Sequence, residues 1–213
     1  MSNIGIYGLG GFAKEIYSLI KDDCDNLVCV YDIEDNNYYK WKDKTKITTW
    51  NNFKILKKKK VVIAISNPII RKKIYNKIQE ENIDFFEVRA KNALKIGDVA
   101  IGECSIICPF TTLTTDIVIG KGFHCNIYSY VGHDCKIGDF VTFAPSVKCN
   151  GNVTIENNVY IGTGTVIKQG SLDKPLIIGE NSIISAGTYI NKNVPPNHLV
   201  YGNPCKFIKK NEK

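Results

Sequence analysis

The chain has 213 residues with a formal net charge of +7 at neutral pH, and 44% of its residues are hydrophobic. This length suits one large domain or two small ones, and the apolar content is ample for packed cores. The sequence has no apolar run of about 18 residues and no secretory signal pattern at its start, which predicts a cytoplasmic protein without membrane insertion.

The basic charge and the eight cysteines by themselves exclude few classes of function. A positive balance suits phosphorylated or nucleotide-activated partners. Basic and aromatic residues are not interleaved as they are in nucleic-acid readers, so no nucleic-acid partner is expected. Without a signal peptide the cysteines are expected to be reduced thiols, and their spacing fits no usual zinc pattern, so no metal site is expected either.

The first 88 residues alternate in the manner of an α/β unit. Gly-rich or polar turns separate short apolar segments that predict strands, and the apolar spacing after the first segment predicts a helix. The predicted elements are strands at 3–8, 27–32, 61–66 and 83–88 and a helix over 12–21. Residues 33–60 are rich in Asn and Lys, and only Trp41, Trp50 and Phe53 indicate local packing there.

A second helix is predicted to begin at Asn67, because an Asn followed by a proline at the first helical position is a good helix start. Ile70, Ile74 and Ile78 then recur every four residues. We expect these isoleucines to pack on the sheet.

The first strand runs into the segment IYGLGGFA, in which Gly8, Gly10 and Ala13 fit the Ala-ending form of the dinucleotide fingerprint. A full dinucleotide domain needs two mononucleotide-binding halves, and this unit has room for only one, so an NAD enzyme is not expected. A Gly-rich turn at a helix start can still bind a diphosphate through free backbone N–H groups, and Asp32 is placed to meet a nucleoside. The alternative is a turn whose glycines only permit tight packing.

Beyond residue 99 an aliphatic or comparable residue recurs every six positions, and the residue two places before it is mostly small or β-branched. A six-residue unit is too short for a globular module, so it predicts one strand and turn of a parallel β-solenoid. Three units form a triangular coil of 18 residues in this repeat class, with neighbouring coils about 4.8 Å apart. The recurring residues are Ile101, Ile107, Leu113, Ile119, Cys125, Val131, Ile137, Phe143, Cys149, Ile155, Ile161 and Ile167, followed after a protruding loop at 168–176 by Ile178, Ile184 and Ile190.

The hexapeptide array, with the segments VGHDCKIGDF, CNGNVTIENNVYIGTGTVI and VYGNPCKFI, resembles the left-handed β-helix acyltransferases. The preceding segments IYGLGGFAKEI, VYD and AISNPIIRKKI are similar to the N-terminal domain of the NeuD/PglD-type sugar acetyltransferases. The resemblance implies a half-Rossmann βαβ domain that binds a nucleotide sugar over 1–88. It implies a left-handed β-helix acetyltransferase domain with a C-terminal tail over 89–213, acetyl-CoA as donor, and a homotrimer with sites between subunits.

The resemblance assigns the general base to His133, whose imidazole can take a proton near neutral pH. It implies that Asp134 orients the imidazole and that Asn126 helps to align the reacting groups. An argument from the register agrees with this site. Gly151 lies 18 residues after His133, hence on the same corner one coil further, where its N–H can donate to a thioester carbonyl.

Carbonic anhydrases of the same solenoid class hold zinc with three histidines across a subunit interface. In this chain His124 and His133 are nine residues apart and therefore on different faces, and the third histidine, His198, lies outside the repeats. A zinc-dependent reaction is therefore not expected. His124 and His198 are expected to be structural or solvent-facing.

For the cofactor, the resemblance implies backbone contacts at Thr163, Ala186 and Gly187. The ending GNPCK resembles the usual GxPAK, which implies that Pro204 shapes the cofactor groove and that Lys206 reaches the phosphates.

For the sugar substrate, the glycine turn and the end of the second strand are the expected binding region. The expected contacts are at Gly8, Gly10, Gly11, Phe12 and Asp32. Family members that acetylate 4-amino sugars often carry Gly-His-Gly where this chain has Gly11, Phe12 and Ala13, so an aromatic ring replaces a polar contact. N-acetylation of a UDP- or dTDP-linked 4-amino-4,6-dideoxy sugar is expected; the alternatives are O-acetylation of the sialic-acid O-acetyltransferase type and a non-enzymatic nucleotide-sugar-binding scaffold.

Overall fold

The computed structural model describes residues 2–32 and 41–209, and the chain divides into two compact units, Met1–Val88 and Arg89–Lys213. The sequence leaves the secondary structure of 33–60 open. Residues 33–40 of that stretch lie outside the described residues, as does the end of the C-terminal tail at 210–213.

The first unit is built on a five-stranded sheet in the order β3-β2-β1-β4-β5, in which all neighbouring strands are parallel. Its elements are β1 Asn3–Tyr7, α1 Gly11–Ile20, β2 Asn26–Tyr31, a 3-10 turn Lys44–Lys46, β3 Ile47–Thr49, α2 Trp50–Lys54, β4 Lys59–Ile63, α3 Pro68–Glu80 and β5 Asp84–Phe85. The predicted strands and both helices are confirmed, with their bounds shifted by a few residues.

Aromatic side chains fill the core of this unit, as the sequence predicts. Trp41, Trp50 and Phe53 are all buried. The Phe53 ring lies against Gly5 of β1, where a Cβ would come within 2.7 Å of Phe53 Cζ.

The side chain of Asn67 caps α3 by accepting the N–H groups of Ile69 and Ile70, as expected. The expected packing face is wrong at Ile70, which is 47% exposed. A spacing of four drifts by about 40° per step around a helix of 3.6 residues per turn, so Ile70 lies about 80° around the helix from Ile78. Ile78 is buried as expected and Ile74 is half-buried; the buried side chains of α3 are Pro68, Arg71, Tyr75 and Ile78.

The second unit is a parallel β-helix with three faces, numbered in the order in which the chain visits them. Face 1 contains β6 Val88–Arg89, β9 Ile106–Ile107, β12 His124–Cys125, β15 Thr142–Phe143, β18 Tyr160–Ile161, β21 Ile183–Ile184, β23 His198–Tyr201 and β24 Lys206–Lys209. Face 2 contains β7 Leu94–Lys95, β10 Thr112–Leu113, β13 Tyr130–Val131, β16 Lys148–Cys149, β19 Val166–Ile167 and β22 Tyr189–Ile190. Face 3 contains β8 Val99–Ile101, β11 Ile117–Ile119, β14 Lys136–Ile137, β17 Val153–Ile155 and β20 Leu176–Ile178.

The 18-residue coil is confirmed by the strand register. Val131 pairs with Cys149 on face 2, and Ile137 pairs with Ile155 on face 3. The predicted inward residues from Ile107 to Ile190 are all buried in one apolar core, while Ile101, near the first coil, is half-buried.

From 104 to 164 each corner of the β-helix is turned by a residue in the left-handed region, at a position that recurs every six residues. Asn, Asp and Gly tolerate this conformation best, although bulkier residues also occupy it here. The non-glycine corner residues with φ between 56° and 62° are Cys104, Phe110, Asp116, Tyr128, Asp134, Phe140, Ser146, Asn152, Asn158, Asn181 and Asn197. The edge that joins face 1 to face 2 is termed edge 1–2, and the edge that joins face 2 to face 3 is termed edge 2–3.

Candidate functional site

His133 lies on edge 2–3, in the turn between β13 and β14, with its side chain 46% exposed. Its Nδ1 is 2.6 Å from Asp134 Oδ2. Because a carboxylate only accepts hydrogen bonds, Nδ1 is the donor of this pair, and in the neutral ring Nε2 is the nitrogen with the lone pair. The imidazole therefore has the tautomer that a general base requires.

Gly151 lies directly beside this imidazole in the next coil. The Asn152 N–H donates to the His133 carbonyl at 2.9 Å, and a Cβ on Gly151 would lie 2.5 Å from His133 Nε2. A Cβ on Gly132 would likewise lie 2.7 Å from the Gly151 nitrogen. The two glycines thus allow the backbone and the ring to approach closely, and the structure brings together His133, Asp134 and Gly151.

The N–H of Gly151 differs from those of its neighbours. The Asn150 N–H donates to the Ile167 carbonyl and the Asn152 N–H to the His133 carbonyl, whereas the Gly151 N–H has no acceptor within residues 2–32 and 41–209. A backbone donor of this kind beside an imidazole can bind the carbonyl oxygen of an acyl group.

The other predicted reaction and cofactor residues of the β-helix lie on edge 1–2. Asn126 follows β12, Thr163 follows β18, and Ala186 and Gly187 follow β21. The Asn126 side-chain amide donates to the Phe143 carbonyl at 2.9 Å. Face 2 separates this edge from edge 2–3, so a single chain does not bring these residues together with the imidazole.

The C-terminal segment forms an antiparallel hairpin of β23 and β24. Pro204, after a cis peptide bond, and Lys206 are exposed on it. Cys205 is buried, and its Sγ lies 3.6 Å from Asn191 Oδ1 after the last strand of face 2, which ties the hairpin to the end of edge 2–3.

A cavity of about 640 Å³ lies along edge 2–3, in the coils that follow Gly151. Lys168, Lys174 and Lys192 line it together with Asn191. This basic cavity is absent from the sequence-based prediction, which treats 168–176 only as a protruding loop. The signal that could have found it is the three lysines at the face 2 to face 3 turns of the last coils.

The glycine turn of the first unit is open where the sequence predicts a ligand. Gly10 is the N-cap of α1 and Gly11 its first residue, and a Cβ on either would meet no atom within 4 Å. Gly8 differs in two respects that both favour glycine. Its φ is 132°, and a Cβ on Gly8 would lie 3.2 Å from the Ala64 carbonyl oxygen. Tight packing therefore explains Gly8 but not Gly10 or Gly11. Phe12 follows in the first turn of the helix and is half-buried.

Asp32, just after β2, is held by two groups of the same unit. Lys77 Nζ lies 2.9 Å from its Oδ1, and the Tyr7 hydroxyl donates to its Oδ2. Partial burial alone would raise the pKa of Asp32, but the hydrogen bonds from Lys77 and Tyr7 and the Lys77 charge outweigh it and hold the pKa below its usual value. The carboxylate is thus ionised at neutral pH and remains half exposed.

All eight cysteines lie within the described residues and none forms a disulfide there. Seven of them are buried, including Cys125, Cys135 and Cys149 in the β-helix core as predicted. Among the described residues, no cluster of three or more His, Cys, Asp or Glu side chains is arranged to hold a metal ion. In the same part of the chain, no helix is long and apolar enough to cross a membrane.

Comparison with known proteins shows the family to which the chain belongs. Residues 3–78 match the family model of the PglD N-terminal domain. GDP-perosamine N-acetyltransferase from Escherichia coli O157:H7 is 39% identical over 218 residues, which cover 99% of this chain and 98% of that protein.

Two solved structures share the fold. The structure of WeeI from Acinetobacter baumannii AYE is 41% identical with a TM-score of 0.91, covering 98% of this chain and all of that chain. PerB from Caulobacter crescentus, in complex with CoA and GDP-perosamine, has a TM-score of 0.73 at 17% identity, covers 98% of both chains, and supports the fold alone.

The two-unit architecture, the β-helix and the match over the whole chain lead to one assignment. The chain is an acetyl-CoA-dependent acetyltransferase and belongs to the NeuD/PglD-type sugar acetyltransferases, whose catalytic domain is a left-handed β-helix.

Proposed function

We propose that this enzyme N-acetylates the amino group of a nucleotide-linked 4-amino-4,6-dideoxy sugar, with His133 as general base. The observation that carries the proposal is the imidazole whose Nδ1 is fixed by Asp134 and whose Nε2 lies against Gly151, beside an unused backbone N–H. Acetyl-CoA supplies an acetyl group activated as a thioester.

In the proposed reaction His133 Nε2 accepts a proton from the sugar amine as the new C–N bond forms. The Gly151 N–H donates to the carbonyl oxygen, where negative charge develops, and this bond strengthens in the transition state. As the C–S bond breaks, the proton held on Nε2 passes to the leaving sulfur. Asp134 keeps Nδ1 protonated and the ring in place throughout.

The two edges are proposed to meet between copies of the chain. Asn126, Thr163, Ala186 and Gly187 lie on edge 1–2, whereas His133 lies on edge 2–3 of the same chain. A cyclic homotrimer places edge 1–2 of one copy beside edge 2–3 of the next and forms three equivalent sites. In this proposal a monomer is inactive because each chain carries two half-sites.

The phosphates of the cofactor are proposed to lie in the basic cavity of edge 2–3. Lys168, Lys174 and Lys192 supply positive charge there, and the hairpin that carries Pro204 and Lys206 is tied to the cavity through Asn191. Clustered ammonium groups favour an anionic ligand over neutral ones.

The sugar nucleotide is proposed to bind the first unit. The N-cap residue Gly10 has no side chain to cap α1, and the absent Cβ atoms of Gly10 and Gly11 leave room for a diphosphate at the helix start. Asp32, ionised and half exposed, is placed to accept hydrogen bonds from the nucleoside.

The nucleotide is the least constrained part of the substrate. The sequence predicts UDP or dTDP, whereas the relative that aligns over the full chain is named for GDP-perosamine. GDP-perosamine, the substrate for which that relative is named, is therefore the first substrate to test.

The decisive experiment follows thiol release from acetyl-CoA with a panel of GDP-, UDP- and dTDP-linked 4-amino sugars and their hydroxyl-only analogues. We expect thiol release with at least one amino sugar and none with its hydroxyl analogue. His133→Gln is expected to lower kcat about 10²- to 10⁴-fold, while the matched His198→Gln variant, altered in the terminal hairpin, keeps its activity. Acetylation of the hydroxyl analogues would replace the proposal with O-acetylation.

A further inference from the structure

The peptide that joins Asn150 to Gly151 has its two polar groups in different surroundings. The Asn150 carbonyl accepts from the Cys135 thiol at 3.3 Å and, over a longer distance of 3.7 Å, from the Cys149 thiol. Both cysteines are completely buried in the coil interior. Because the C=O and N–H of a trans peptide point in opposite directions, an inward carbonyl turns the Gly151 N–H outward.

Asn150 itself is fixed from two further sides. The Tyr130 hydroxyl donates to Asn150 Oδ1 at 2.6 Å, and Asn150 Nδ2 donates to the Ile167 carbonyl at 2.8 Å. These bonds hold the Asn150 side chain. The tilt of the peptide plane between Asn150 and Gly151 then depends on the hydrogen bonds that the Asn150 carbonyl accepts. The Cys135 thiol lies 3.6 Å from the His133 carbonyl but closer, 3.3 Å, to the Asn150 carbonyl, and it makes the shorter of the two thiol bonds to Asn150. It therefore has the stronger influence on the tilt.

The same device recurs elsewhere in the β-helix. Ser129 occupies the position on edge 1–2 that Cys135 occupies on edge 2–3, and its hydroxyl donates to the Ala144 carbonyl, also 15 residues later, at 3.1 Å. Thr165 makes the corresponding bond to the Ser185 carbonyl beyond the inserted loop. A buried donor on the corner carbonyl of the next coil is thus a repeated feature, and on edge 2–3 the donor is a thiol.

We propose that Cys135 is a positioning residue for acetyl transfer, whose thiol holds the Asn150–Gly151 peptide so that the Gly151 N–H points at the acyl carbonyl oxygen beside His133. This role rests on the proposed function. Misplacement of a catalytic group by about 1 Å can cost about 100-fold in rate. The hydrogen bond to the carbonyl also polarises the peptide and strengthens its N–H as a donor.

Two replacements of Cys135 separate this role from core packing. Cys135→Ser keeps a hydrogen-bond donor. Ser129 shows that a serine hydroxyl makes the corresponding bond from the equivalent position on edge 1–2. Cys135→Val removes the donor but fills the space, and valine occupies the equivalent register at Val141, Val147 and Val153, all buried. Cys125→Val is the matched control, because Cys125 is an equally buried thiol with no hydrogen bond to the Asn150 carbonyl among the described contacts.

The measurements are kcat and the KM of each substrate in the full-length enzyme, with thermal unfolding alongside. We expect Cys135→Val to lower kcat about tenfold or more with the KM of the sugar nucleotide unchanged. Cys135→Ser should stay within about threefold of wild type, and so should Cys125→Val. Across the three variants, the decrease in kcat should not correlate with the decrease in the thermal unfolding temperature.

Several results would overturn the proposal. A Cys135→Val enzyme with wild-type kcat removes the positioning role, and so does an equal loss in the serine and valine variants or in Cys125→Val. Failure of the proposed function is distinguishable, because in that case the wild-type enzyme itself releases no thiol with any amino sugar.

Discussion

The two edges that border face 2 are built on the same framework. The side-chain amides of Asn126 on edge 1–2 and Asn150 on edge 2–3 each donate to the carbonyl 17 residues later, at 2.9 and 2.8 Å. Ser129 and Cys135 each donate to the carbonyl 15 residues later. The period of six therefore reproduces not only the backbone but also its supporting hydrogen bonds.

The difference lies in what the corners present to the outside. Edge 2–3 carries His133 and the Gly151 N–H, which has no acceptor in the part of the chain that the structure describes. The position equivalent to Gly151 on edge 1–2 is Pro145, which has no N–H to donate. Edge 1–2 instead exposes the stacked rings of Phe110 and Tyr128, with centroids 5.1 Å apart. A repeat fixes the positions, and a few outward residues decide which edge can do chemistry.

The largest expected effect tests whether the two edges meet between copies. His133→Ala alters only edge 2–3, and Asn126→Ala alters only edge 1–2. We expect His133→Ala alone to lower kcat about 10²- to 10⁴-fold and Asn126→Ala alone to lower it about tenfold or more. In an equal random mixture of the two chains, about one quarter of the sites of a cyclic trimer combine two intact edges. The mixture should therefore recover about a quarter of wild-type activity.

The mixed enzyme is prepared by co-expression with two different affinity tags. Purification through both tags keeps only mixed trimers, in which one site of three combines two intact edges, so the expected recovery rises from about a quarter to about a third of wild-type activity. A mixture no more active than the better single variant would show that each site lies within one chain. Mixed His133→Ala and wild-type chains provide the control for activity that comes from simple dilution.

The next prediction concerns the close approach of Gly151 to the His133 imidazole on edge 2–3. Gly151→Ala places a Cβ 2.5 Å from His133 Nε2 and 2.6 Å from Cε1, so the imidazole has to move. We expect kcat to fall about 100-fold, since a shift of about 1 Å in a catalytic group has an effect of that size. Steady-state kinetics measure the loss, and circular dichroism checks the fold. An active Gly151→Ala enzyme would contradict the proposed position of the base.

The parts of this site that lie within the regular six-residue repeat could be predicted from the sequence, and the parts outside the repeat could not. The close approach of His133 and Gly151 follows from their 18-residue separation alone, because the coils stack in register. The lysine cavity does not follow, since the inserted loop at 168–176 breaks the period and its shape is set by local contacts.

The first unit shows the same limit. The Asn67 cap was readable because a cap is a local interaction. The ion pair of Asp32 with Lys77 joins residues 45 positions apart, and no local pattern indicates it. The burial of Arg71 was equally hidden, because its guanidinium is accommodated by the Ile65 and Ser66 carbonyls rather than by an apolar face.

The next prediction extends the comparison to the basic end of edge 2–3. The double variant Lys168→Ala, Lys174→Ala removes two charges from the cavity. If the cofactor phosphates lie there, the KM for acetyl-CoA should rise about tenfold, with kcat and the KM of the sugar unchanged. The control is a second double variant, Lys72→Ala with Lys73→Ala on α3, which loses the same net charge outside the cavity. The rise should shrink at high ionic strength.

A glycine outside the β-helix tests whether the first unit binds the sugar nucleotide. Gly11→Ala adds a Cβ that meets no protein atom, at a helical position where alanine is favoured. Stability should therefore stay equal or rise slightly, while the KM of the nucleotide sugar rises several-fold because the Cβ occupies the space of the diphosphate. An unchanged KM would favour the interpretation that this turn serves only the fold.

The smallest expected effect on activity returns to the two edges themselves. Ser129→Ala removes from edge 1–2 the bond that Cys135 makes on edge 2–3, and it leaves both the Ala144 carbonyl and the Val147 N–H without the Ser129 hydroxyl. Loss of such buried partners costs about 1–3 kcal/mol, so the urea midpoint should fall. Turnover should nevertheless stay within about twofold of wild type, because the peptide that Ser129 holds ends at Pro145 and has no N–H for the reaction. A fall in kcat as large as that of Cys135→Val would mean that both edges need the same support, and the difference between them would lie only in their outward side chains.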